Sequence, residues 1–303
     1  MTEATSPQID KALFLGCVIP ARIPFIEKSA KVACKLLNIH LNPMKGAACC
    51  PDPIGINSVD EKTWITLASR NVTVAEAMPE TEIMGLCSGC VLSLKSANQK
   101  LKEDAHLRDE VNEHLIKVDK QFAGKIETVR HFAQVIHEEV GIDRLKSLVK
   151  HPLTGLKVAV HYGCHFIRPS ELIGFDDPIQ PRKLDEIVRA LGAESVDYSE
   201  KMLCCGTGVA NASDDIATKM NYRKYTSAQE AGAECFCVVC PSCYQMLEGG
   251  QRNVRKMFKE KFSFPVFYIT DLIALALGAS SEEIGLKYHR PKPNKLLEAL
   301  GIE

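Results

Sequence analysis

No run of the sequence approaches the roughly 18 uninterrupted apolar residues that a membrane span needs. The most apolar late stretch, Phe264 to Ala279, is broken by Thr270 and Asp271. The first residues, Met-Thr-Glu-Ala-Thr-Ser-Pro, lack a basic region followed by an apolar one, so no signal peptide is expected. An excess of one charge is also missing: 37 Lys and Arg face 38 Asp and Glu, a net of −1. That balance predicts no nucleic-acid partner and no membrane-surface partner. There is no Gly-x-Gly-x-x-Gly fingerprint and no Walker sequence, so flavin, NAD and ATP are not expected in this chain. The compact Cys-x-x-Cys-x-x-Cys-x-x-x-Cys-Pro run of small electron carriers is absent too. These absences predict a soluble, cytoplasmic protein.

Cysteine is abundant instead, with 13 in 303 residues. In a reducing compartment such a count points to metal or redox chemistry, and an odd number argues against a simple disulfide framework. Ten of the thirteen form two copies of one pattern. Cys17 is followed by 31 residues, the pair Cys49-Cys50, 36 residues, then Cys87-x-x-Cys90. Cys164 is followed by 39 residues, the pair Cys204-Cys205, 34 residues, then Cys240-x-x-Cys243. The copies are offset by 147, 155 and 153 residues at the three positions, which reads as duplication. Cys34, midway in an apolar helical pattern, and Cys235 and Cys237, in a strand before Cys240, read as buried structural thiols.

The flanks repeat as well. "ALFLGCVIPARIP" parallels "VAVHYGCHFIRP", each a buried strand entering a Gly-Cys turn. Helices follow in "VACKLLNI" and "LDEIVRALGA", a short strand leads to each cysteine pair, and "WITLASRNVTVAEA" and "NYRKYTSAQEAGA" read as helices. A strand enters each Cys-x-x-Cys and a helix leaves it. An apolar helix, "VRHFAQVIHEEVG" or "ITDLIALALG", closes each half. Each half thus reads β-α-β-α-β-α, predicting two pseudo-symmetric α/β units with mainly parallel sheets at 11–150 and 157–280. Ligands of such sheets gather at the carboxyl ends of strands, where all ten patterned cysteines fall. Residues 97–125 read as a solvated helix, and 281–303 as a basic tail that is either a partner-binding arm or a frayed end.

A Cys-x-x-Cys pair suits zinc and iron–sulfur equally. Five thiolates per half, two of them adjacent, suit a polynuclear cluster better than the four tetrahedral ligands of zinc. Ordinary cubane clusters take four cysteines, so a fifth implies an unusual cluster or a thiol kept for redox work. His161 and His165 flank Cys164 and are candidates for a proton donor or a hydrogen bond to cluster sulfur. Arg22 and Arg168, with Lys45 and Lys201, are candidate cations near the cysteines.

The doubled pattern resembles the cysteine-rich "CCG" domain family, which includes the B subunit of heterodisulfide reductase and its relatives, over about residues 11–277. The flank "VHYGCHFIRP" looks closest to the heterodisulfide reductase branch. One departure is Cys49-Cys50-Pro51 against Cys204-Cys205-Gly206, which bears on local turn geometry. The resemblance implies a noncubane [4Fe-4S] cluster in each half. Cys17, Cys49, Cys50, Cys87 and Cys90 would ligate one, and Cys164, Cys204, Cys205, Cys240 and Cys243 the other. It implies reduction of the coenzyme M–coenzyme B heterodisulfide to two thiols, within an electron-bifurcating complex of methanogenesis. Its implied partners are a ferredoxin-like C subunit, a flavin-containing A subunit, and a hydrogenase or formate dehydrogenase. A relay component of a related dehydrogenase or thiol:fumarate reductase complex, and a zinc-stabilised structural protein, stay open as alternatives.

Overall fold

The computed structural model describes residues 8–302. The first half runs β1 (Ile9–Phe14), α1 (Phe25–Leu36), β2 (Ile39–Pro43), α2 (Glu61–Glu76), β3 (Glu82–Gly85), α3 (Ser88–Glu103), α4 (Ala105–Leu115) and β4 (Thr128–His131). The second runs β5 (Lys157–His161), α5 (Lys183–Ala190), β6 (Glu194–Val196), α6 (Asp214–Glu230), β7 (Cys235–Val238), α7 (Pro241–Phe258), β8 (Val266–Tyr268) and α8 (Ile269–Ala276). Short helical turns separate some of these elements, and α9 (Asn294–Ala299) follows near the end.

Each half forms one four-stranded, all-parallel sheet, ordered β2-β1-β3-β4 and β6-β5-β7-β8. The central strands are buried on both faces, as parallel strands covered by helices must be, so they read as continuous apolar runs such as Val158–Val160. Strand order reverses between β1 and β3, and again between β5 and β7. A crevice therefore opens at the carboxyl edge of each sheet at that point.

The duplicated, mainly parallel α/β architecture is present, with one correction. Each half has four strands, where the sequence pattern shows three. "VRH" belongs to β4 and "VFY" forms β8. Both strands are short and run straight into a helix whose N-cap is the strand's last residue, His131 or Tyr268. Without a turn between them, the strand and helix merge into one apolar run.

One continuous core joins the halves, taking Leu13, Ile26, Met84 and Phe132 from the first and Val160, Phe236 and Leu272 from the second. A smaller cluster around Trp64, Val72 and Leu94 sits within the first half. Residues 281–302 pack against the rest of the protein rather than fray. Ile284, Leu286 and Leu297 are buried, Lys28 Nζ donates to Glu282 O at 2.8 Å, and the His289 ring lies 4.8 Å from that of Phe25. This stretch straps α1 of the first half to the second. The charged 97–125 segment is broken at Asp104, whose carboxylate accepts from Leu107 N and caps α4.

Candidate metal centre

Both Cys-x-x-Cys motifs begin a helix in the same way. Cys87 and Cys240 are the N-cap residues of α3 and α7, and Cys90 and Cys243 stand three residues on. That spacing turns both sulfurs toward the helix N-terminus, where free N–H groups and the helix dipole favour thiolate. Pro241 fits the first turn of α7, where its missing N–H costs nothing. The last residue of each fourth strand braces these loops. His131 Nε2 lies 2.8 Å from Val239 O and 3.1 Å from Leu86 O, while Nδ1 accepts from Ala133 N. Two carbonyls can only accept, so Nε2 carries the proton. Burial lowers the His131 pKa to about 4 and keeps the ring neutral. Tyr268 Oη also donates to Leu86 O.

All ten patterned cysteines line one cavity of about 310 Å³ between the two sheets' carboxyl edges. Cys17 and Cys49 sulfurs are 3.6 Å apart, and Cys205 and Cys243 sulfurs lie within 4.8 Å of each other and of a His161 nitrogen. Cys87 and Cys240, one from each half, are close enough to shift each other. The Cys87 thiol is pushed well up and that of Cys240 held well below the usual range, each mainly by hydrogen bonding among neighbouring cysteines. Hydrogen bonding to Cys49 first, then Cys90, likewise holds Cys50 down. Thiols crowded in this way cannot all lose their protons without a cation among them. Such a donor set matches thiolate-bound polynuclear iron.

The two loops after the cysteine pairs differ in geometry. Gly206 has φ +89°, and an added Cβ would meet Ala217 at 3.2 Å. Its N–H donates to Cys204 Sγ at 3.3 Å. Pro51 has no N–H to give, and its carbonyl accepts from Ser93 Oγ at 2.9 Å.

The other sequence-derived candidates are scattered. His165 lines the cavity. His161 is wholly buried, burial drives its pKa to about 3, and neither ring nitrogen has a hydrogen-bond partner among the described residues. Arg22 ends the short Val18–Arg22 helix, exposed and away from the cavity. Arg168 is exposed and its Nε donates to Pro178 O at 3.0 Å. Lys45 is exposed, and Lys201 pairs with buried Asp185 at 2.7 Å, beside a separate polar groove. No lysine or arginine lines the cavity among the described residues. Cys34, Cys235 and Cys237 are buried apart from the cavity, and burial pushes the Cys34 thiol up to about 12.

Three groups beside the cysteines are missing from the sequence-derived candidates. Thr207 Oγ1 lies 3.2 Å from Cys205 Sγ. Asp52 lines the cavity. Lys224 is completely buried and donates to Glu200 O at 2.5 Å, behind the Cys204-Cys205 loop. A signal for Lys224 exists: Ala217, Asn221, Tyr225 and Ala228 set the buried stripe of α6, and Lys224 falls inside it.

The model of the cysteine-rich domain family matches residues 11–95 and 158–248. A relative from Methanosarcina mazei, the B subunit of ferredoxin:CoB-CoM heterodisulfide reductase, is 39% identical over 278 residues, covering 91% of this chain and 92% of its own. The membrane anchor subunit of 8-methylmenaquinol:fumarate reductase from Wolinella succinogenes is 33% identical, covering 95% and 99%. The crystal structure of a hypothetical protein from Helicobacter pylori shares the fold, with a TM-score of 0.76 at 15% identity over 95% of this chain and 53% of that one. No helix among the described residues is long and apolar enough to cross a membrane. With two matched cysteine-rich domains and this identity over nine-tenths of its length, the chain belongs to the duplicated cysteine-rich-domain family of the heterodisulfide reductase B subunit.

Proposed function

We propose that this chain is the catalytic subunit that reduces the coenzyme M–coenzyme B heterodisulfide to two thiols. In this reading it uses two noncubane [4Fe-4S] clusters. Each unit, 11–150 and 157–280, holds one through its five patterned cysteines. The carrying observation is that all ten of those cysteines line one cavity. A disulfide takes up two electrons and two protons and leaves as two thiols. When bound, the clusters supply those electrons one at a time.

The chain's own residues do the rest. Leu15, Val18, Pro53 and Ile54 form an apolar wall that limits water around the reacting sulfurs. His165, half-buried at the cavity, would pass protons from solvent to a departing sulfur. Cys87 and Cys240, one from each set, line the same cavity, so one disulfide there would meet both sets. With no electron-carrier or nucleotide motif of its own, the chain depends on partners. These are a ferredoxin-like C subunit, the flavin-containing A subunit that bifurcates electrons, and a hydrogenase or formate dehydrogenase behind them.

A second reading, an electron-transfer component of a dehydrogenase or thiol:fumarate reductase complex, draws on the similarity to the fumarate reductase membrane anchor. Protein purified anaerobically from its host is expected to hold about eight irons with matching sulfide and to release thiols from the heterodisulfide with a reduced viologen. Iron without thiol release favours the relay. Two zinc ions and no iron end both readings.

A further inference from the structure

The ten cysteines repeat faithfully, but the residues around them do not. Among the positions that differ, four share one electrostatic sign. Phe14, the last residue of β1, pairs with Gly85. Its counterpart in β5 is His161, which pairs with Val238. His161 is fully buried, both ring nitrogens lack partners among the described residues, and one lies within 4.8 Å of the Cys205 and Cys243 sulfurs. Phe14 is equally buried and offers no donor. Asn71 in α2 braces the first cysteine pair, donating to Cys49 O at 2.9 Å and accepting from Ala48 N at 2.7 Å. The matching residue in α6 is Lys224, whose ammonium braces the second loop through Glu200 O and Lys201 O. Pro51 has no N–H, whereas Gly206 N–H donates to Cys204 Sγ. Asp52 brings a carboxylate to the cavity, whereas Thr207 brings a hydroxyl 3.2 Å from Cys205 Sγ.

Hydrogen bonds to cluster sulfur and nearby positive charge both stabilise the reduced, more negative state of an iron–sulfur centre. A neighbouring carboxylate opposes it. Solvent acts the other way here. Cys49 is exposed where Cys204 is half-buried, and Cys87 is half-buried where Cys240 is buried. The direct contacts outweigh it, because a donor and an ammonium in a buried, low-dielectric setting interact far more strongly than the same groups in water.

Resting on the cluster reading above, we infer that the two halves are electronically unequal: the cluster held by Cys164, Cys204, Cys205, Cys240 and Cys243 is reduced first, at a higher potential than that held by the first five cysteines. Each reduction adds one electron, drawn from the electron-donating partner in the complex or from dithionite in a titration. His161 is the main positioning residue for the difference, with Thr207 and Gly206 adding donors and Lys224 adding charge.

A mediated redox titration of the cluster-loaded full chain, followed by electron paramagnetic resonance and visible absorption, tests this. Two separate one-electron waves are expected. His161→Phe, which copies the first half, shifts the upper wave down and leaves the lower one in place. Thr207→Val shifts the upper wave in the same direction by less. Phe14→His raises the lower wave and narrows the gap. A single unresolved wave, an upper wave that ignores both His161→Phe and Thr207→Val, or an upper wave that follows Phe14→His overturns the inference with clusters intact. Absence of iron and sulfide overturns the cluster reading along with it.

Discussion

His289 Nε2 lies 3.8 Å from Asp271 Oδ2, and both side chains are fully buried where the C-terminal strap crosses between the halves. Asp271 accepts from Tyr268 N at 2.7 Å, a bond that favours its charged form. His289 Nδ1 meets Val266 O at 3.0 Å, and its ring packs against Phe25 and Tyr244. Burial raises the Asp271 pKa to about 7 and lowers that of His289 to about 4. From pH 4 to 6.5 the folded pair therefore holds one proton, on Asp271, and the unfolded chain holds one on His289.

Because the counts match, the pair is expected to leave stability nearly flat over that window, and each single variant to tilt it. A raised carboxyl pKa gives stability that is full below 3.8 and lost as pH rises toward about 7. A depressed imidazole pKa gives stability that is full above 6.5 and lost as pH falls toward about 4. Relative to the unsubstituted chain, His289→Asn should lose stability as pH rises from 4 to 6.5, and Asp271→Asn should gain it. Each slope is at most about 1.4 kcal/mol per pH unit. Urea denaturation at stepped pH measures both; parallel slopes would refute the shared proton.

His131→Phe should weaken the second Cys-x-x-Cys loop more than the first. The substitution keeps the ring and deletes the donor to Leu86 O and Val239 O. Leu86 O still accepts from Tyr268 Oη, while Val239 O loses its bond to His131. A buried group left unpaired costs about 1–3 kcal/mol. The expected result is a lower melting temperature, with iron lost from the second set before the first. His131→Gln, which retains a donor, should recover part of the loss. Equal loss from both sets would show that His131 only fills space.

The duplication is legible in the sequence because cysteine spacing survives whatever else changes. The β1 and β5 runs are legible because central parallel strands are apolar on both faces. The fourth strands are not, since Thr128–His131 and Val266–Tyr268 pass into helices with no turn residue between. The cavity's ten cysteines follow from their places at strand ends. The charges around it do not follow, because proximity in sequence is a poor guide to side-chain direction. Arg22 and Arg168 are close to Cys17 and Cys164 in the chain but stay outside the cavity, while Lys224 reaches the back of the second loop from α6. The strap from Ser281 resembles a tail because its Pro and Lys content hides the buried positions Ile284, Leu286 and Leu297.

Cys34→Ala and Cys50→Ala should separate a packing thiol from a ligand. Cys34 is 1% exposed, inside the core of α1, and absent from the cavity. Its replacement removes one small buried group and should cost about 1 kcal/mol with iron unchanged. Cys50 is nearly as buried but lines the cavity, so its replacement should lower iron while changing packing equally little. Iron and sulfide assays with a denaturation curve for each variant decide it; iron loss in Cys34→Ala would mean that the thirteen thiols do not sort as described.

Gly16 and Gly163 offer a matched test of the two halves. Both precede the first cysteine of their set, with φ of +68° and +73°. Alanine at either position therefore carries the same left-handed penalty of about 1–2 kcal/mol. They differ in what the new methyl meets. At Gly16 it would come within 2.8 Å of Cys90 Sγ, closer than real contacts allow, whereas at Gly163 it would sit 3.5 Å from Cys243 Sγ. Cys90 is the third residue of α3 and is held by the helix, so the sulfur moves only if the loop does. Gly16→Ala should thus displace one ligand and cost about half of the bound iron, the share of one set. Gly163→Ala should lose similar stability and keep its iron. Equal iron loss in both variants would mean that backbone strain, not the sulfur's place, governs loading.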